Sequence, residues 1–191
     1  MVINMKIGVD IDDTLINTKE QQIIYWEKYV TENPKTGYSL ELPQTINDFG
    51  DEYVQNFWDI YREELSFRPT FKENASTVLN KLKKEGHTIC VVTSRPDEKY
   101  DDLHKILKDW FQKNDIPIDY IFTNIREKAT FCKKQNIDIL IDDSILHCEN
   151  CKLNNVQSIL FRDTTEYNGL KTTDWNEIYT IIHNLQQKND K

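Results

Sequence analysis

The stretch "IGVDIDDTLI", residues 7–16, decides how the rest of the chain is read. It runs apolar from Ile7 to Val9 and then places Asp10, Asp12 and Asp13 within four positions. Carboxylates this close repel one another, and burying them is costly unless a cation compensates. The pattern is that of a buried strand with acid at its carboxyl end. What answers that acid is the question the remaining sequence has to settle.

Further strand-length apolar runs are expected at residues 7–10, 88–93 ("TICVVT"), 120–123 ("YIFT"), 137–141 ("IDILI") and 158–161 ("SILF"). Apart from Asp138 they are nearly continuous, as suits parallel strands covered on both faces. Helical periodicity separates them. In "FKENASTVLNKLKKEG" (71–86), Ala75, Val78, Leu79 and Leu82 form one stripe and Gly86 supplies a stop. In "EKYDDLHKILKDWFQ" (98–112) the stripe is Tyr100, Leu103, Leu107, Trp110 and Phe111. The last helix, in "DWNEIYTIIHNLQ", opens with the Asp174-to-Glu177 spacing of a capping box and buries Ile178, Ile181 and Ile182. Strand alternating with helix predicts an open α/β sheet of Rossmann-like, three-layer form.

One segment breaks the alternation. Residues 18–67 hold two aromatic-rich helical patterns, "EQQIIYWEKYV" and "DEYVQNFWDIYREEL", joined by a turn-rich linker over 31–50. They predict a small helical insertion after the first strand, with residues 1–17 and 68–191 forming the core. Its rings (Tyr25, Trp26, Tyr29, Tyr53, Phe57, Trp58 and Tyr61) stand at helical spacing, which suits a small bundle core better than a stack on a planar ligand.

With 191 residues, 38% hydrophobic and 29% charged, the chain is long enough for one sizeable core and too apolar to be disordered. A net charge of −8 argues against nucleic-acid polymers and anionic membranes as partners. No run approaches the roughly 18 apolar residues that span a bilayer. The amino terminus lacks the apolar centre of a signal peptide. Four cysteines are too sparse for a disulfide scaffold, so a cytoplasmic protein with reduced thiols is expected. "HCENC" (147–151) has CxxC spacing without a second pair, and Cys148 is expected to pack against the sheet from a short helix.

In open α/β sheets ligands bind beyond the carboxyl ends of the strands. Asp10 and Asp12 follow the first strand, Thr93, Ser94 and Arg95 the second, and Asp142 and Asp143 the fourth. Lys128 follows the third strand, near the start of the next helix. Acids, hydroxyls and a lysine from four strand ends therefore meet on one edge. Carboxylates converging there call for a cation, and hard oxygen donors select Mg²⁺.

"DIDDT", "VVTSR", Lys128 and "LIDDS", in that order, resemble the four motifs of the haloacid dehalogenase-like phosphohydrolases. The resemblance covers residues 5–17 and 70–165, and the insertion resembles the helical cap of that superfamily. Within it, "KATFCKKQNIDILIDDSILHCEN" is most similar to the 5'(3')-deoxyribonucleotidase group. The resemblance implies a Mg²⁺-dependent phosphomonoesterase acting on a small phosphorylated substrate, a nucleoside monophosphate in the nucleotidase group. It implies Asp10 as nucleophile and Asp12 as general acid and base. It further implies Asp10, the Asp12 backbone carbonyl and Asp142 as metal ligands, Asp143 behind them, and Thr93 and Lys128 as phosphate ligands. Ser94 and Arg95 are further candidates at the phosphate, although a surface ion pair is an equal reading of Arg95. Asp13 stands where many members carry Gly and receives no metal role. A sugar-phosphate phosphatase and a non-catalytic phosphate- or nucleotide-binding module are the rival functions, and the oligomeric state is silent. Against the binding module stands Asp12, which a mere binder would not need.

Overall fold

The computed structural model of the chain describes residues 4–43, 46 and 50–189, with side chains as far as residue 187. Residues 44, 45 and 47–49 of the expected linker lie outside the described residues, as do 1–3, 190 and 191. The chain divides into two compact units, Met1–Leu15 with Phe71–Lys191, and Ile16–Thr70. Among the described residues no helix is long and apolar enough to cross a membrane.

The first unit is built on six strands: β1 (Lys6–Val9), β2 (Thr88–Val92), β3 (Tyr120–Phe122), β4 (Ile139–Asp142), β5 (Gln157–Leu160) and β6 (Leu170–Lys171). All pair in parallel, in the order β3-β2-β1-β4-β5-β6. The middle strands explain the unbroken apolar runs. Ile7, Val9, Ile89, Val91, Val92, Ile139, Leu140 and Ile141 are all fully buried, each stabilising the fold by about 1.5–3 kcal/mol. Two expectations need correction. β3 is an edge strand and not a doubly covered one: Tyr120 is exposed and stacks on Phe122, with the Lys6 ammonium over both rings. β6 escaped notice because it is only two residues long, both exposed, and a single Leu170 makes no apolar run.

Helices α3 (Ala75–Lys84), α4 (Leu103–Lys113), α5 (Lys128–Lys134), α6 (Ile145–Leu153) and α7 (Trp175–Asn189) alternate with the strands. The α3 stripe is buried throughout. In α4, Leu103, Leu107 and Phe111 are buried, while Tyr100 lies before the helix. The box at the start of α7 closes differently from the expected one. The Asp174 N–H donates to Thr172 Oγ1 at 3.0 Å, and the Thr172 hydroxyl in turn donates to Glu177.

Four of these helices stop in the same way. Gly86, Asp115, Asn136 and Asn155, each two positions past the last helical residue, have φ of 96°, 54°, 52° and 58°. The next residue then donates its N–H back into the last turn: His87 to Leu82, Ile116 to Phe111, Ile137 to Cys132 and Val156 to Cys151, at 2.9–3.1 Å. This is the Schellman arrangement, with Asn and Asp standing in for Gly in three of four cases. It aims each chain end back towards the sheet and fixes where the next strand begins.

The second unit holds α1 (Thr18–Glu32) and α2 (Glu52–Phe67). Asp51 caps α2 by accepting from the N–H groups of Tyr53 and Val54. Trp26, Tyr29, Tyr53, Phe57, Trp58 and Tyr61 form a buried core with Val30, Ile46, Val54 and Leu65. Both indoles are satisfied within the unit, Trp26 Nε1 by Ser39 O at 3.0 Å and Trp58 Nε1 by Ile46 O at 2.6 Å. The rings are the unit's own interior.

If the left-handed stops shape the core, Asn155→Ala lowers stability by about 1 kcal/mol, whereas Asn155→Gly leaves it unchanged or raised. Denaturant unfolding of the two variants checks this, and equal losses in both would contradict it.

Candidate active site

The strand order sends the chain from β1 outward to β2 and β3 on one side and to β4, β5 and β6 on the other. The crevice of such a sheet opens at the carboxyl ends beside β1. Asp10, the first residue after β1, donates its N–H to Ile141 O at 2.9 Å and is thereby held against β4. The chain then turns sharply, with Leu15 N–H bonded to Ile11 O at 2.9 Å and Asp13 at φ 55°. Left-handed backbone favours Gly, and Asp is among the few other residues that adopt it readily. That explains how Asp13 fits where a Gly is common.

Lys128 is the first residue of α5, and only 2% of it is exposed. A cation at a helix amino terminus opposes the helix dipole, so its place is not explained by helix stability. Its ammonium lies 2.7 Å from Asp10 Oδ1 and 2.7 Å from Asp142 Oδ2. Burial opposes the charged form of Lys128, but the two carboxylates outweigh it and hold its pKa above the usual range.

Asp142, the last residue of β4, is completely buried and richly supplied with donors. Besides Lys128 it accepts from the Ser144 N–H at 2.9 Å and lies 3.0 and 3.2 Å from His147 Nδ1. Burial would raise its pKa, but the hydrogen bonds and charges of His147 and Lys128 bring it below the usual range. Asp10 goes the other way. Burial, only partly offset by Lys128 and reinforced by Asp142 and Asp12, pushes it up to about 7. Asp143 is pushed up to about 8 by burial and by Asp10, Asp142 and Asp13.

One carboxylate oxygen from each of Asp10, Asp142 and Asp143 lies within 4.8 Å of the other two. A single ammonium does not neutralise three buried or half-buried carboxylates. The donor set is all oxygen, which suits a hard divalent cation. The residues therefore fit Mg²⁺, and Asp143 stands among the acids of the cluster.

A second ion pair serves Asp12. Arg95 is 6% exposed and forks the Asp12 carboxylate, Nε to Oδ2 at 3.0 Å and Nη2 to Oδ1 at 2.8 Å. The surface ion pair considered for Arg95 is thus corrected: the pair exists, but its guanidinium is buried. Burial opposes the charge of Arg95, and Asp12 more than restores it. Thr93 is buried at the end of β2, its hydroxyl accepting from the Arg95 N–H at 3.3 Å. Ser94 is exposed and donates to Ile125 O at 3.0 Å.

His147 was missed by the sequence reading. Its signal was the Ser144 cap, whose Oγ accepts from the His147 N–H at 3.4 Å and sets His147 in the first turn of α6, facing back to Asp142. Cys148 and Cys151 both point inward from α6. Cys148 packs with Leu160 and Tyr167, and Cys151 with Cys90 and Leu140. All four thiols are free and buried, and burial pushes those of Cys132, Cys148 and Cys151 up to about 12, which leaves them unreactive.

The fold is that of the haloacid dehalogenase-like hydrolases. A HAD-superfamily hydrolase of subfamily IA from Geobacter sulfurreducens superposes with a TM-score of 0.63 at 12% identity, over 94% of this chain and all of that one. A structure described as a "predicted phosphatase" from Clostridium acetobutylicum gives a TM-score of 0.69 at 17% identity, over 95% of this chain and 99% of its own. In sequence, the chain is 28% identical over 195 residues to a Bacillus cereus protein named "Putative nucleotidase", covering 93% of this chain and 98% of the relative. No family model matches the chain.

Asp10 and Asp143 take up protons in the fold that they release on unfolding near neutrality. In the absence of a divalent cation, the contribution of these two groups to stability therefore falls as pH rises from about 4 to about 8, against an opposite contribution from His87, whose burial holds its pKa down. Asp143→Asn removes its share, so the variant gains on wild type across that interval. Added Mg²⁺ raises the wild-type melting temperature at about pH 8 more than that of the variant. Thermal unfolding with and without Mg²⁺ checks both statements, and parallel curves for the two proteins would contradict them.

Proposed function

We propose that the chain is a magnesium-dependent phosphomonoesterase that works through an aspartyl-phosphate on Asp10 and acts on nucleoside monophosphates, deoxy forms among them. The observation that carries the chemistry is the Lys128 ammonium set between Asp10 and Asp142, with Asp143 beside them. The Bacillus cereus relative, matched along nearly its whole length, supports the substrate class.

Phosphoryl transfer asks a protein chiefly for positioning and for stabilisation of charge. An Asp10 oxygen attacks phosphorus as the bond to the leaving oxygen breaks, and Asp12, which carries a proton in the substrate complex, delivers it to that oxygen. Asp12 then takes a proton from water as the water oxygen bonds to phosphorus. The acyl-phosphate bond breaks, Asp10 returns as a carboxylate, and inorganic phosphate leaves. Splitting the reaction in this way is ordinary covalent catalysis. Lys128 holds positive charge where a phosphate dianion meets a carboxylate, and Thr93 offers its hydroxyl to the phosphate. Mg²⁺, when bound by Asp10, Asp142 and the Asp12 backbone carbonyl, with Asp143 beside them, supplies the further positive charge that lets anion approach anion.

Phosphate release from nucleoside monophosphates, sugar phosphates and an aryl phosphate tests the proposal. Wild type turns over nucleotides best, chelator abolishes turnover, Asp10→Asn falls to background, and Asp12→Asn loses about 10²–10⁴-fold. Preference for sugar phosphates would overturn the substrate class alone. Chelator-resistant turnover, or an active Asp10→Asn, would overturn the mechanism.

A further inference from the structure

Asp12 and Asp10 stand two residues apart, yet different cations hold them. Lys128 lies against Asp10, and Arg95 takes Asp12. The Asp12 side chain is 38% exposed, whereas the Arg95 side chain is 6% exposed. Arg95 is also fixed through its backbone. Its N–H donates to Thr93 Oγ1 at 3.3 Å, and its carbonyl accepts from the Asn124 N–H at 2.8 Å. The guanidinium is thus the rigid partner, and the carboxylate is the one oriented. Two parallel N–H···O bonds fix the plane of a carboxylate as well as its position, which a single ammonium cannot do.

From this juxtaposition we propose that Arg95 is a positioning residue: its buried fork fixes the plane and place of the Asp12 carboxyl group beside the leaving-group oxygen, one of its two bonds yielding when Asp12 carries the proton it delivers, and the guanidinium is not itself a phosphate ligand. The proposal rests on the assignment of Asp12 as general acid made above. Its consequence concerns the leaving group. Proton delivery matters greatly when an alkoxide leaves, as from a nucleoside monophosphate, and little when a nitrophenolate leaves. A group that only aims Asp12 inherits this selectivity. A group that binds phosphate affects both substrates alike, since the phosphate is common to them.

The test measures kcat/KM, which reports formation of the aspartyl-phosphate, for a nucleoside monophosphate and for p-nitrophenyl phosphate. Wild type, Arg95→Ala, Arg95→Lys, Asp12→Asn and the double variant Asp12→Asn/Arg95→Ala are compared. Arg95→Ala is expected to lose about 10²-fold on the nucleotide and less than about 10-fold on the aryl ester. Arg95→Lys resembles Arg95→Ala, because the charge without the fork does not fix the plane. The double variant is no worse than Asp12→Asn, as befits residues that act as a unit. Guanidinium ion added to Arg95→Ala restores nucleotide turnover preferentially.

Equal losses on the two substrates, or losses that add in the double variant, would overturn the proposal and make Arg95 a phosphate ligand. Should Arg95→Ala prove unstable by thermal unfolding, Arg95→Lys carries the same comparison, and full nucleotide activity in it would also overturn the proposal. Failure of the underlying reading shows itself separately, as a wild type that turns over neither substrate or an Asp12→Asn whose losses on the two are equal.

Discussion

One buried ammonium, that of Lys128, holds the functional edge of this sheet together. It lies 2.7 Å from a carboxylate after β1 and 2.7 Å from a carboxylate at the end of β4. Without it, two neighbouring strand ends would present bare, buried acid to each other. The ion is costly to bury and is retained because both partners are fixed and close. Breaking such a pair by removing one member leaves an uncompensated charge, so Lys128 couples the integrity of the fold to the chemistry of the site. Even so, the charge is incomplete, and Asp10 and Asp143 stay high in pKa. That residual need is why the edge suits a divalent cation, the role proposed for it above.

The backbone makes this possible through repeated, economical devices. β1 lies between β2 and β4 in a parallel sheet, so the first motif is central and the later ones flank it. Four helices end in left-handed residues that turn the chain back towards the sheet. The carboxyl-terminal loops are left to carry function. Each loop brings its own cation or donor: Arg95 after β2, Lys128 after β3, and Ser144 and His147 after β4. Asp10 and Asp12 therefore take their cations from the loops of other strands, whereas Asp142 draws on Lys128 and also on Ser144 and His147 of its own loop.

Much of this was legible in the sequence. Unbroken apolar runs marked β1, β2 and β4 because those strands are covered on both faces, and the carboxylates stood out because they ended such runs. The aromatic insertion declared itself through helical spacing, and its rings pack with one another as that spacing implied. What escaped was too short to make an apolar run or depended on direction. β6 is two exposed residues, and β3 has the composition of a buried strand while lying at an edge. The closing of the α7 cap through Thr172 needs a contact outside the helix. Arg95 and His147 are single polar residues whose roles are set by where their side chains reach, and spacing along the chain does not encode that reach. The left-handed stops at Asp115, Asn136 and Asn155 were hidden because Gly is the usual sign of such a stop.

The claim at the centre of this account is that Asp10 carries the phosphoryl group. It is tested most directly by quenching the enzyme in acid during turnover, reducing with borohydride and sequencing the peptide that spans residues 7–16 by mass spectrometry. Reduction converts an acyl phosphate to the alcohol, so homoserine at position 10, present only when substrate was supplied, is the result expected. An unaltered Asp10 in enzyme that was turning over and rapidly quenched, or homoserine at Asp12 instead, would contradict the account.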